Sequence, residues 1–95
     1  MPNAYLVAHI RVHDPDTFET FKARSADAIK AHGGRVLARN PKPDRREGTL
    51  EGLVILIEFD DMETARRFYD SDAYGEARRI RETAAETDLL LVEGL

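Results

Sequence analysis

Apolar and polar residues alternate along several stretches of the chain, which is the pattern of β-strands with one buried face. The clearest case is residues 4–12, where Ala4, Leu6, Ala8, Ile10 and Val12 share one side. Residues 49–59 form the most apolar stretch, and a shorter apolar stretch covers residues 88–93. With the short segment 35–39, the pattern predicts four strands.

Two other segments repeat their apolar residues every three or four positions, which predicts helices. The first begins at Asp14-Pro15, a capping aspartate followed by proline, and ends at Gly33-Gly34. The second begins at Asp60 or Asp61 and continues to Ala84. Asp70-Ser71-Asp72 interrupts it, and because these side chains compete for backbone hydrogen bonds, we predict a break there.

The order β-α-β-β-α-β with right-handed crossovers predicts a ferredoxin-like α+β sandwich, a four-stranded antiparallel sheet of order 4-1-3-2 with both helices on one face. The other face is apolar, although a face in water should be polar. A second copy of the chain would cover it, so we expect a homodimer that forms a dimeric α/β barrel. The alternative is a lone sheet with an exposed apolar face. The apolar residues are Tyr5, Val7, Val54, Leu56 and either Leu89 with Leu91 or Leu90 with Val92.

Length and composition limit the classes of function. Ninety-five residues predict a single domain, 1–95, and the 42% hydrophobic and 34% charged fractions are typical of a water-soluble protein. A net charge of -4 argues against nucleic acid or an anionic membrane as a partner. The first residues lack the features of a signal peptide, so we expect a cytoplasmic protein. The absence of cysteine excludes thiolate chemistry and disulfides.

Neither a metal nor a cofactor is expected. His9 and His13 could face the same way on the first strand, but extended spacing puts them about 13 Å apart, too far to share one ion.

Several short segments between Tyr5 and Gly94 carry a resemblance to a known family: Gly33-Gly34-Arg35, Glu47-Gly48, Ile57-Glu58-Phe59, Ala65, Phe68-Tyr69-Asp70-Ser71, Tyr74, Arg81 and Asp88 to Gly94. In these segments the chain resembles domain-of-unknown-function family 1330 of the dimeric α/β-barrel group. The resemblance implies the same fold and a dimer, and no established activity. Better understood proteins of this group include cofactor-independent monooxygenases, lactone isomerases and haem-degrading enzymes. Two positions depart from the family pattern: Phe68 replaces a usual Trp, and Leu53 replaces a frequent Arg.

Ionisable residues within an apolar face mark either a salt-bridged dimer interface or a small-molecule pocket. One hypothesis is a cofactor-independent enzyme or binder of a small organic acid or aromatic molecule. His9 would then carry a proton, Glu58 would orient it, and Arg11 or Arg39 would clamp an anion. The other hypothesis is a non-catalytic ligand-binding or structural dimer.

The second helical segment is expected to supply the other wall of a pocket, through Tyr69, Tyr74 and Arg81. Arg81 stands out because core packing alone does not require an arginine there. Its alternative role is an ion pair with Glu58, Glu82 or a neighbouring chain.

Overall fold

The computed structural model describes residues 2–95, which form one antiparallel four-stranded sheet and three helices. The strand order is β2-β3-β1-β4, which is the predicted order 4-1-3-2 counted from the opposite edge. The predicted ferredoxin-like arrangement is therefore confirmed. The elements are β1 (Ala4–Val12), α1 (Pro15–Ala31), β2 (Arg35–Asn40), β3 (Leu53–Phe59), α2 (Met62–Asp70), α3 (Asp72–Ala84) and β4 (Ala85–Glu93).

Helix α1 begins and ends where the sequence predicts. The Asp14 carboxylate accepts hydrogen bonds from the backbone N–H and the hydroxyl of Thr17, at 3.2 and 2.7 Å. Pro15 occupies the first turn, where its missing N–H leaves no carbonyl unsatisfied. At the other end, Gly33 takes a φ of +69°, a left-handed conformation that terminates the helix.

The predicted break in the second helical segment is confirmed at Ser71. This residue is extended, with φ -67° and ψ 152°, and separates α2 from α3. Its hydroxyl donates to the carbonyl of Phe68 at 2.7 Å and accepts from the N–H of Tyr74 at 3.2 Å. One side chain thus closes one helix and opens the next. Asp61 caps the start of α2 by accepting from Thr64 N–H at 2.7 Å.

Two predicted strand boundaries are wrong. Strand β3 begins at Leu53 instead of Thr49, because the Arg45 guanidinium binds the carbonyls of Leu50 and Gly52, at 2.9 and 2.8 Å, and holds this segment as loop. Strand β4 begins at Ala85 instead of Asp88, directly after α3. Its polar first residues pair with β1 at the edge of the sheet, where charged side chains are tolerated.

The two faces of the sheet differ in burial. In β1 the even-numbered residues from Ala4 to Ile10 are buried under the helices and the odd-numbered ones are partly exposed. Cross-strand partners share a face, so Val7 lies beside Leu56 and Leu90 on the uncovered side. We call this side the open face. Of the two predicted alternatives for β4, Leu90 and Val92 face it, at 54% and 43% exposure.

A β-bulge at Leu37 changes the direction of the side chains in β2. Arg35 is paired with Glu58 on the open face, but the register shifts between Val36 and Ala38, and Arg39 is paired with Ile55 on the helix side. An extra residue in one strand inverts the alternation beyond it. Arg35 and Arg39 therefore lie on opposite faces although they are four residues apart.

Candidate functional site

Glu58 is the centre of a hydrogen-bonded cluster at one end of the open face. Its Oε1 accepts from Arg35 Nε at 2.9 Å, and its Oε2 accepts from Tyr5 OH at 3.2 Å and Asn3 Nδ2 at 3.1 Å. Arg35 also contacts Asp60 at 3.0 Å. The hydrogen bond from Arg35, supported by those from Tyr5 and Asn3, lowers the pKa of the Glu58 carboxyl. Glu58 is thus a stabilised carboxylate.

The predicted contact between Glu58 and His9 is wrong. Glu58 is paired with Tyr5, and His9 is paired with Val54 and Asp88, four residues further along β1. At the rise of an antiparallel strand this separates the two side chains by about 13 Å. Glu58 therefore does not orient the histidine.

The Glu58 cluster predicts a pH dependence of stability. A carboxyl whose pKa is lower in the folded state stabilises the fold above its unfolded pKa, about 4.3, and loses this contribution as the pH falls through the folded value. We expect Glu58→Gln to unfold at a lower urea concentration than wild type at pH 7, with a smaller difference at pH 2.5. The exposed loop variant Glu47→Gln is the control and should match wild type at pH 7. Equal differences between Glu58→Gln and wild type at both pH values would contradict the argument.

Arg11 and His9 lie on the open face near β4. The Arg11 guanidinium contacts Asp88 at 2.8 Å and Glu86 at 4.0 Å, and donates to the carbonyl of Glu51 at 3.3 Å. The two carboxylates thus balance the charge of Arg11, so its guanidinium is not free to bind a ligand anion as predicted. His9 faces the same side, beside Val54 and Asp88.

Arg39 lies on the other side of the sheet, at a pocket between the sheet and helices α1 and α3. The prediction that placed it with His9, Arg11 and Glu58 is wrong, because the bulge at Leu37 turns it toward the helices. The pocket walls are mainly aliphatic and aromatic side chains of β1, β3 and α1. Its polar lining residues are Lys22, Ser25, Arg39, Tyr74 and Arg81.

Arg81 and Tyr74 form a buried polar pair on α3 in this pocket. Arg81 is 6% exposed and Tyr74 3%. Arg81 Nη1 donates to the Tyr74 hydroxyl at 2.7 Å, and the guanidinium carbon lies 5.7 Å from the Phe21 ring centre. Burial raises the pKa of the Tyr74 phenol, and the Arg81 charge partly opposes the rise. The phenol is therefore neutral at physiological pH.

The pocket is narrow. Its cavity volume is about 40 Å³. Since one water molecule needs roughly 10–15 Å³ of such space, the pocket holds about three water molecules.

Tyr69 does not line this pocket. It borders a separate polar groove at the junction of α2 and α3, together with Ser71 and Arg78. The Arg78 guanidinium carbon lies 5.5 Å from the Tyr69 ring centre, and the ring packs against Tyr74 at 5.4 Å. Of the predicted ligand-binding residues, Arg39, Tyr74 and Arg81 line this pocket, and Tyr69 and Arg11 do not.

Among the lining residues that were not predicted as site residues, three have small or polar side chains that shape the pocket. Ala8 and Ser25 are both buried, and their small side chains leave space between β1 and α1. The signal in the sequence is a serine within the otherwise apolar face of α1. Lys22 lies one turn earlier, and its ammonium group contacts Glu19 at 3.0 Å.

Within residues 2–95, no three side chains of the His, Cys, Asp or Glu type are grouped so that they could hold a metal ion. No helix in the same part of the chain is both long and apolar enough to cross a bilayer.

Comparison with known proteins identifies a family and several structures of similar fold. Residues 3–95 match the family described as Domain of unknown function (DUF1330). No curated protein matches the sequence.

A protein of unknown function from Rhodopseudomonas palustris is 16% identical, with a TM-score of 0.76 over 99% of this chain and 83% of that chain. SnoaB, a cofactor-independent oxygenase from Streptomyces nogalater, is 17% identical, with a TM-score of 0.70 over 96% of this chain and 91% of its own. A dimeric protein of unknown function and ferredoxin-like fold from Bacteroides fragilis is 11% identical, with a TM-score of 0.65 over 96% and 95%. At these identities the likeness establishes the fold alone.

Proposed function

We propose that this chain, which belongs to the family described as Domain of unknown function (DUF1330), binds a small organic molecule in the pocket between the sheet and helices α1 and α3. The observation that carries the proposal is the composition of the pocket, an apolar cleft into which one buried polar pair, Tyr74 and Arg81, is built. Apolar walls with a few fixed polar groups are the usual form of a ligand site.

Packing supports a binding role for this space. Protein interiors are close-packed, and a chain of this length gains stability by filling its core. Here Ala8 on β1 and Ser25 on α1 leave a cleft instead. Because the cavity is small, only one small group of the ligand fits inside it. The rest of the ligand extends toward the mouth of the pocket, near Lys22 and Arg39.

We propose binding rather than catalysis. Within the described residues, the pocket lining contains no histidine, cysteine or carboxylate. His9, the predicted proton carrier, faces the opposite side of the sheet. A group that exchanges protons near neutral pH is therefore lacking in the lining. The oxygenase activity of SnoaB is not carried over, since 17% identity supports only a common fold.

We propose that the active form is a homodimer, with a second copy of the chain covering the open face. Val7, Leu56, Leu90 and Val92 form an apolar centre there, and the cations Arg11 and Arg35 alternate with the acids Glu58 and Asp88 around it. A face that carries both charges around an apolar centre can pack against its own copy about a two-fold axis. The dimeric state of the Bacteroides fragilis protein of the same fold supports the proposal.

The binding proposal is tested by filling the pocket. We expect at least one compound from a panel of small phenols, amides and carboxylates to raise the melting temperature of the wild type, because binding stabilises the folded state. In Ser25→Leu the larger side chain occupies the cleft, and the same compound should give no shift. Ala73→Leu adds a leucine on the exposed side of α3 and is the matched control.

Two results would contradict the binding proposal. One is a panel in which no compound shifts the wild-type melt at millimolar concentration. The other is a shift that persists unchanged in Ser25→Leu, which would place the bound compound elsewhere on the molecule.

A further inference from the structure

Arg81 is a buried cation that forms no ion pair with the residues the structure describes, 2–95. The ion pairs at 4.0 Å or less among residues 2–95 do not include it. Glu58, one partner considered from the sequence, is bound to Arg35 instead. Within the same residues, the Arg81 Nε–H is buried and has no hydrogen-bond partner. A buried guanidinium without an anion is costly, and the cost is removed when an anion binds.

We infer that the ligand of the pocket carries a carboxylate, and that this carboxylate pairs with the Arg81 guanidinium. The inference rests on the proposed binding function and specifies the chemical class of the ligand. A guanidinium presents donors in a planar fork that matches a carboxylate, and the unpartnered Nε–H is one of those donors.

Tyr74 is the second group that recognises the anion. Its oxygen already accepts from Arg81 Nη1, so its own O–H is available to donate. Because burial keeps the phenol neutral, it acts as a donor toward an anion and does not repel it. Tyr74 also holds the guanidinium in place along the wall of the pocket.

The shape of the pocket favours a carboxylate with an apolar body over an inorganic anion. The cavity holds only a few heavy atoms, which suits a carboxylate head. The surrounding walls, including Phe18, Phe21 and Ile55, are apolar and suit a short aliphatic or flat aromatic body. A phosphate carries more charge than one buried guanidinium balances and would leave these walls without contacts.

The test compares isosteric ligands that differ in charge. Sodium benzoate is paired with benzamide and sodium butyrate with butyramide, and binding is measured by calorimetry and by thermal shift. We expect at least one carboxylate to bind the wild type more tightly than its amide. The Kd of this carboxylate for the Arg81→Met variant should be about tenfold to a hundredfold higher, since a charged hydrogen-bonded pair is lost. Arg78→Met, on the same helix but outside the pocket, should leave the Kd unchanged.

The outcomes separate this inference from the binding proposal. Suppose that an amide and its carboxylate bind equally well, and that Ser25→Leu abolishes this binding but Arg81→Met does not. That result would contradict the inference of a carboxylate ligand and leave the proposal of binding in the pocket intact. Inorganic phosphate binding as tightly as either carboxylate would also overturn the inference of a carboxylate ligand. If no compound binds the wild type, both the binding proposal and the inference of a carboxylate ligand are contradicted. Should Arg81→Met not fold, Tyr74→Phe is the second variant and should weaken carboxylate binding severalfold without changing amide binding.

Discussion

The variant Val7→Asp is expected to be a folded monomer, whereas the wild type is expected to be a dimer. Val7 lies in the middle of the open face, beside Leu56 and Leu90. In the proposed dimer, two-fold symmetry would bury one added carboxylate from each copy near the centre of the interface. The effective penalty for a buried ion without a partner is several kcal/mol, enough to separate the subunits at micromolar concentration.

The monomer should remain folded because the side chain of Val7 points away from the helix-covered core. Leu90→Asp tests the same face from the edge strand β4, where a substitution disturbs the sheet less. Ala73→Asp adds the same charge on the exposed side of α3 and should stay dimeric. Light scattering after gel filtration gives the mass, and circular dichroism confirms that each variant is folded.

Two results would contradict the dimer. If the wild type has the mass of one chain at 100 µM, the proposal of a homodimer is wrong. Dimers that persist in folded Val7→Asp and Leu90→Asp would mean that the copies meet elsewhere.

The double variant Tyr74→Phe/Arg81→Met is expected to be more stable than the wild type in the absence of ligand. Arg81 is a buried cation whose Nε–H has no partner among the described residues, and the Tyr74 hydroxyl accepts the hydrogen bond from its Nη1. Replacing both with apolar side chains of similar size removes the desolvation cost of the charge and leaves no buried hydroxyl behind. Replacements of buried ionic groups by hydrophobic ones stabilise proteins by about 1–4 kcal/mol.

Urea unfolding at equal protein concentration measures this difference, and the melting temperature should rise by roughly 4 °C or more. Arg81→Met alone should gain less, because it leaves the Tyr74 hydroxyl without its donor. Arg78→Met serves as control for the loss of a half-buried arginine on the same helix. A double variant that is less stable than the wild type by 1 kcal/mol or more would show that Arg81 serves the fold and not a ligand.

The sequence predicts the fold well because local patterns and capping residues agree with the tertiary structure. The Asp14 cap and the break at Ser71 are both present where the sequence places them. The sequence does not predict the start of β4, because its charged residues lack the apolar pattern that is typical of a strand. Glu86 and Asp88 are accommodated because they lie at the sheet edge and contact Arg11 across the strands.

The site is predicted only in part, because strand alternation determines which residues share a face and one bulge changes it. Alternation from Arg35 would place Arg39 on the open face with His9 and Glu58, and the sequence contains no evident sign of the extra residue at Leu37. The sequence also does not predict whether Arg81 has an anionic partner. This depends on Glu58 lying on the open face, where Arg35 binds it, while Arg81 lies on the helix side of the sheet.

The pairing of β1 with β4 has a consequence for how the chain folds during synthesis. Strand β1 lies inside the sheet, between β3 and β4, yet β4 is made after the other three strands of this sheet. Until then, one side of β1 presents free backbone N–H and C=O groups from Ala4 to Val12, next to apolar side chains. The nascent protein therefore carries an open strand edge that can pair with other chains. Any delay in completing residues 85–93 prolongs this exposure, so the speed at which this segment is translated and docked affects the risk of aggregation.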